Sequence, residues 1–205
     1  MTITKDVFFR SHVVEVKTKK KEVNTYEEPK WPEYVLLFDT ETTLDPQEQS
    51  LLFGFYRVCR IVGANYECVE EGILHADHLE PRYLDIVTGF IRASKSEVVA
   101  DDYDENIHLY SRSEFVERLF FDAVLTKSLI VAFNAPWDIS RLSVGYKTAG
   151  NRAWSLVLSQ RVSTKTGEIE FNPERPRMRV TSKDSKSAFF NLTKPYDLKS
   201  GLLIR

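Results

Sequence analysis

The chain has 205 residues, of which 42% are hydrophobic and 28% charged, with a formal net charge of -2. That length suits one domain, or one domain with an extension, and can bury a core without disulfides or a structural metal. An aromatic content of 12% with only 8 Gly and 8 Pro excludes a disordered or collagen-like chain, and no run approaches the ~20 uncharged apolar residues of a membrane span.

Residues 1–32 read as an N-terminal arm. MTITKDVFFRSH lacks the apolar core of a signal peptide, so a cytoplasmic location with no membrane partner is expected. DVFFRSHVVEVK favours a strand or two, and Lys17, Lys19, Lys20 and Lys21 suit either a solvated loop or a phosphate backbone. The core spans 33–205. YVLLF is a short apolar run of the kind that forms a central strand, and LLFGFYRVCRIVG and NYECVEEGILHA read as a second and third strand. PRYLDIVTGFIRAS has helical spacing at Leu84, Val87, Phe90 and Ile91. Ser111 or Ser113 caps a further helix, whose stripe is Phe115, Leu119, Ala123 and Val124. SLIVAF is another buried strand, and PWDISRLSVGY a helix opened by Pro136. AWSLVL, EIEFN, RMRVTS and AFFNL follow as strands, with TKTGE turning between the first two. The expectation is a mixed α/β sheet with helices packed on it.

Cys59 and Cys68 are too few for a disulfide framework or an all-cysteine zinc site, and the four histidines show no HExxH arrangement. The chemistry lies elsewhere, in FDTETT directly after YVLLF. Side chains two apart on a strand face the same way, so Asp39 and Glu41 project together. Paired carboxylates repel, and a hard divalent cation, Mg²⁺ or Mn²⁺, relieves that repulsion; an acidic strand end beside a loop would give the same letters. LIVAFNAPWDISRL repeats the pattern. Asn134 stands at a strand-to-helix junction and Asp138 about a turn into the helix, where capping and the helix dipole give each a structural role. A carboxylate at Asp138 can also point back over the sheet edge toward the Asp39/Glu41 pair.

FDTETT followed by FNAPWD resembles the first and second motifs of the DEDD 3′–5′ exonucleases of the ribonuclease H-like superfamily, which include DNA polymerase proofreading domains. The match spans about residues 34–145. It implies a ribonuclease H-like mixed β-sheet flanked by helices, and two-metal hydrolysis of phosphodiester bonds, chiefly of DNA. By resemblance, Asp39 would bridge two Mg²⁺ or Mn²⁺ ions, with Glu41 on one and Asp138 serving the other. The backbone at Thr40, Thr42 and Thr43 would contact the terminal nucleotide, Asn134 would also bind the nucleic acid, and Trp137 or Phe133 could stack on a base. The partner implied is nucleic acid, foremost single-stranded DNA 3′ ends. The family's third motif sets a fourth carboxylate four or five residues after a Tyr or His. No histidine follows Asp138, and neither Tyr146 nor Tyr196 has an acid four residues on. The aspartates left are Asp184 and Asp197, and YDLKSGLLIR reads like the start of the helix that precedes that motif. The expectation is therefore of a C-terminally incomplete domain, completed by a polymerase module or a second chain, or of a catalytically inactive nucleic-acid-binding module. In ERPRMRV, Arg175, Arg177 and Arg179 would share a strand face, with Lys183 and Lys186 beyond, either as a phosphate contact or as charge protecting an edge strand.

Overall fold

A computed structural model describes residues 32–95, 106–150, 153–183 and 188–193. The expected arm, Lys186, Asp184 and the terminal YDLKSGLLIR lie outside these.

A five-stranded sheet forms the centre. It contains β1 (Tyr34–Thr42), β2 (Leu51–Val62), β3 (Asn65–His75), β4 (His108–Ser111) and β5 (Leu129–Ala132), in the order β4-β3-β2-β1-β5. β1, β2 and β3 run antiparallel, whereas β4 lies parallel to β3 and β5 parallel to β1. On β1 the inner face presents Leu36, Phe38 and Thr40, all buried, and the outer face Leu37, Asp39 and Glu41, all exposed. Helix α1 (Pro81–Ala93) meets the outer face, where the Phe55 and Phe90 rings lie 6.5 Å apart.

Against the inner face lies a helical stretch of α2 (Arg112–Phe115), a π-helical turn (Val116–Phe120) and α3 (Phe121–Leu125). Ser111 caps it through a reciprocal pair with Glu114, whose carboxyl sits below its ordinary range because the Ser111 N–H and hydroxyl both donate to it. The stripe differs from the expected one. Phe115, Val116, Phe120, Phe121 and Ala123 are buried, while Leu119 and Val124 are only partly so. The π turn is the reason: it adds a residue to one turn and rotates everything after it.

Helix α4 (Ala135–Arg141) is shorter than its sequence pattern suggests, because Gly145–Thr148 form β6. β6 opens a second sheet with β7 (Ala153–Val157), β10 (Arg177–Ser182) and β11 (Ala188–Thr193), in the order β11-β10-β7-β6. Between them β8 (Gln160–Val162) and β9 (Ile169–Phe171) form a ribbon, so the TKTGE turn joins β8 to β9 rather than β7 to β9. Leu156, Met178 and Val180 carry the second sheet into the same core as Phe38 and Phe115. The architecture is mixed α/β, a mixed sheet flanked by helices. No helix among the described residues is long and apolar enough to cross a membrane.

Candidate functional site

β1 has β2 on one side and β5 on the other, so the chain leaves β1 in one direction and later returns on its opposite flank. The carboxyl ends of β1 and β5, side by side and parallel, form a topological switch point, where crevices open in α/β sheets. Phe38 pairs with Ala132, which brings Phe133 beside Asp39. Phe133 is 94% exposed, so it contributes nothing to the core.

Asp39 and Glu41 stand at this point on one strand face, as the alternation requires. Both are exposed, and neither carboxylate has a hydrogen bond or ion pair to a described residue. The backbone beneath them is closely paired. Gly54 lies opposite Thr40, and a Cβ there would stand 2.3 Å from the Asp39 carbonyl oxygen. A groove of about 790 Å³ runs from Asp39 between α1 and the outer face, lined by Leu37, Phe55, Ile73, Phe90 and Phe133 among others. Sequence patterning did not anticipate it; exposed Leu37 and Phe55 on a half-covered face are its signature.

Asp138 is 1% exposed and lies on the other side of β1. Its Oδ1 accepts from the Thr40 hydroxyl at 2.7 Å and the Thr40 N–H at 3.2 Å, and its Oδ2 from the Asn134 N–H at 2.8 Å. Thr40, between the two acids, necessarily faces away from them, so Asp138 reaches β1 through the inward-facing residue. Asn134 occupies the N-cap position of α4 without a side-chain cap bond, and Asp138 holds its backbone N–H instead. Thr40 is buried with its hydroxyl and N–H both committed to Asp138, while Thr42 is half-buried at the strand end. Trp137 is half-buried under the Arg141 guanidinium, 4.2 Å from its ring centre. Arg141 also donates to the Gln49 carbonyl at 2.5 Å, fastening the β1–β2 loop to α4. Burial lowers its pKa.

Asp39 and Glu41 fit a hard cation: two oxygen-donor groups, exposed and with no partner among the described residues, project from one strand end. Asp138, holding three donors, has little acceptor capacity left. Among the described residues no group of three or more His, Cys, Asp or Glu side chains is arranged to hold a metal ion. The arginine row also divides. Arg175 pairs with Glu117 at 2.7 Å and lies over the Phe121 ring, whereas Arg177 and Arg179 stand on β10 facing away from the core. Compared with known proteins, the chain matches no family model, no curated protein and no solved structure.

Proposed function

We propose that this chain is a 3′–5′ exonuclease domain on a ribonuclease H-like sheet, hydrolysing phosphodiester bonds of DNA with Mg²⁺ or Mn²⁺. The observation that carries this reading is the uncommitted Asp39/Glu41 pair at the β1/β5 switch point, beside an exposed aromatic and an apolar groove. A mixed sheet flanked by helices agrees with the coarse architecture that the FDTETT and FNAPWD motifs imply. Asp39 and Glu41 would hold the cation. When bound, it lowers the pKa of an attacking water and stabilises the charge on the leaving oxygen. Phe133 offers a face for stacking on an unpaired base, worth about 1–3 kcal/mol where such stacking occurs. Asp138 acts on this site by fixing Thr40, and so the strand that presents both acids.

One observation favours a second reading, an inactive nucleic-acid-binding module: the Asp138 carboxylate is consumed by structural hydrogen bonds. Incubation of a 5′-labelled single strand with the chain in Mn²⁺ or Mg²⁺ separates the two. The exonuclease reading expects a ladder shortening from the 3′ end, and no ladder with Asp39→Ala. Intact substrate with binding retained would leave the inactive module standing, and cleavage undiminished in Asp39→Ala would remove Asp39 from the chemistry.

A further inference from the structure

The second sheet carries a surface that the Asp39 site does not use. The described residues of β6, β7, β10 and β11 include no Asp or Glu. Lys147 pairs with Ser155, Ser155 with Arg179, and Arg179 with Asn191. Directly opposed residues face the same side, so these four form a row across the sheet. The opposite face supplies Leu156, Met178 and Val180 to the core, so the row points outward, and Lys147, Arg179 and Asn191 are exposed.

Other residues extend it. Arg177, two residues before Arg179, shares its face. Lys183 stands 5.8 Å from the ring centre of Phe189, which is 58% exposed and pairs with Thr181 on the same side. Arg179 donates to the Ala149 carbonyl at 3.0 Å, which holds its guanidinium over the end of β6. At the other end Phe171 of the ribbon lies over Gly145, where a Cβ would stand 2.8 Å from the ring. The ribbon's Glu170 and its neighbour Glu174 are both paired with Arg161.

Edge protection accounts for Lys147, on the edge strand β6, but not for the two β10 arginines. β10 lies between β7 and β11, so Arg177 and Arg179 sit on an interior strand with no open edge to guard. Nor does a general surplus of base account for them, since the chain's formal charge is -2. We propose that this face is a second nucleic-acid contact, which holds the phosphate backbone of a DNA strand at a distance from the Asp39 site. Lys and Arg neutralise phosphates, while Ser, Thr and Asn side chains donate to phosphate oxygens. The surface is an open sheet face rather than a helix or ribbon shaped to enter a groove, so it holds strands of any sequence. This proposal does not depend on hydrolysis at Asp39.

The test is fluorescence anisotropy of a labelled single-stranded oligonucleotide in EDTA, over a series of salt concentrations. Each cation removed lowers the slope of log affinity against log salt by roughly 0.7, so Lys147→Gln combined with Arg179→Gln shows a shallower slope and weaker binding. Asn191→Asp, which adds a negative charge to the same row, weakens binding as well. Lys127→Gln, on the exposed turn after α3, leaves binding unchanged, and equal thermal melts show that each variant is folded. Wild-type slope and affinity in the double variant would overturn the proposal. So would the absence of DNA binding by the wild-type chain, or tighter binding to phosphatidylserine vesicles than to DNA. If Asp39→Ala stops cleavage while the double variant binds normally, the face fails and the nuclease reading stands. If the double variant loses binding to a strand that the wild-type chain never cleaves, the face stands and the nuclease reading fails.

Discussion

Thr40 and Asp138 define what the second motif does in this fold. An ionised carboxylate that is 1% exposed needs its charge shared among donors, and Asp138 has three. Asp138→Asn keeps the shape but leaves one accepting oxygen for donors now on two, so at least one N–H or O–H is orphaned. A loss of about 2–4 kcal/mol is expected, measured by urea unfolding. Thr40→Val removes one donor and leaves the carboxylate its other two, so the expected loss is smaller, about 1–2 kcal/mol. The order of the two losses is the check. Wild-type stability in Asp138→Asn, with cleavage lost, would instead place this carboxylate in the chemistry. The alternation of β1 already put Thr40 opposite to Asp39 and Glu41 in face. What the letters did not show is that Asp138 would bond to the residue between the acids.

Among the elements, the junction at Arg112 ties the first sheet, α4 and the second sheet to the start of α2. Its guanidinium is 5% exposed as a residue and donates to Asp77 after β3, to the Leu142 carbonyl after α4 and to the Leu158 carbonyl after β7. Burial pushes the Asp77 carboxyl upward, but the Ser113 N–H and the Arg112 guanidinium outweigh it and the net shift is downward. A carboxyl depressed in the folded state adds stability above its unfolded pKa of about 4, and that stability is lost as pH falls through the lower folded value. Asp77→Asn should therefore lower stability at pH 7 by about 1–3 kcal/mol while narrowing the gap to wild type below pH 4. Thermal melts at pH 7 and pH 3 decide it; an equal deficit at both would show that the charge contributes nothing. None of this junction was legible in the sequence, because its partners are separated by 35, 30 and 46 positions along the chain. Local signals did better: the Ser111 cap, the helical spacing of α1 and the apolar run of β1 formed as read, whereas SLIVAF gave a strand, β5, that is not buried as its run of apolar letters suggested, because it lies at the sheet edge with Leu129 and Val131 exposed. The π turn escaped because periodicity assumes a constant residue count per turn, and β4 because four residues give too short a pattern.

At the scale of the whole molecule, the proposed cation would link the candidate site to the stability of the fold. The sequence disclosed the acidic pair and its strand; the switch point beside it exists only once β5 has returned to β1's free flank. A ligand that binds the folded chain alone stabilises it by RT ln(1 + [L]/Kd), about 2.7 kcal/mol at a hundredfold excess over Kd. For a chain of this size that amounts to a rise of roughly 5–10 °C in melting temperature with saturating Mn²⁺. Asp39→Asn separates two contributions with opposite signs. Without metal it relieves repulsion between Asp39 and Glu41, so the variant melts at or slightly above the wild-type temperature. With Mn²⁺ it loses a ligand, so its melting temperature no longer follows metal concentration while the wild type still rises. Equal Mn²⁺-dependent shifts in both proteins would mean that the ion binds elsewhere, and the pair at the end of β1 would be an exposed acidic strand end.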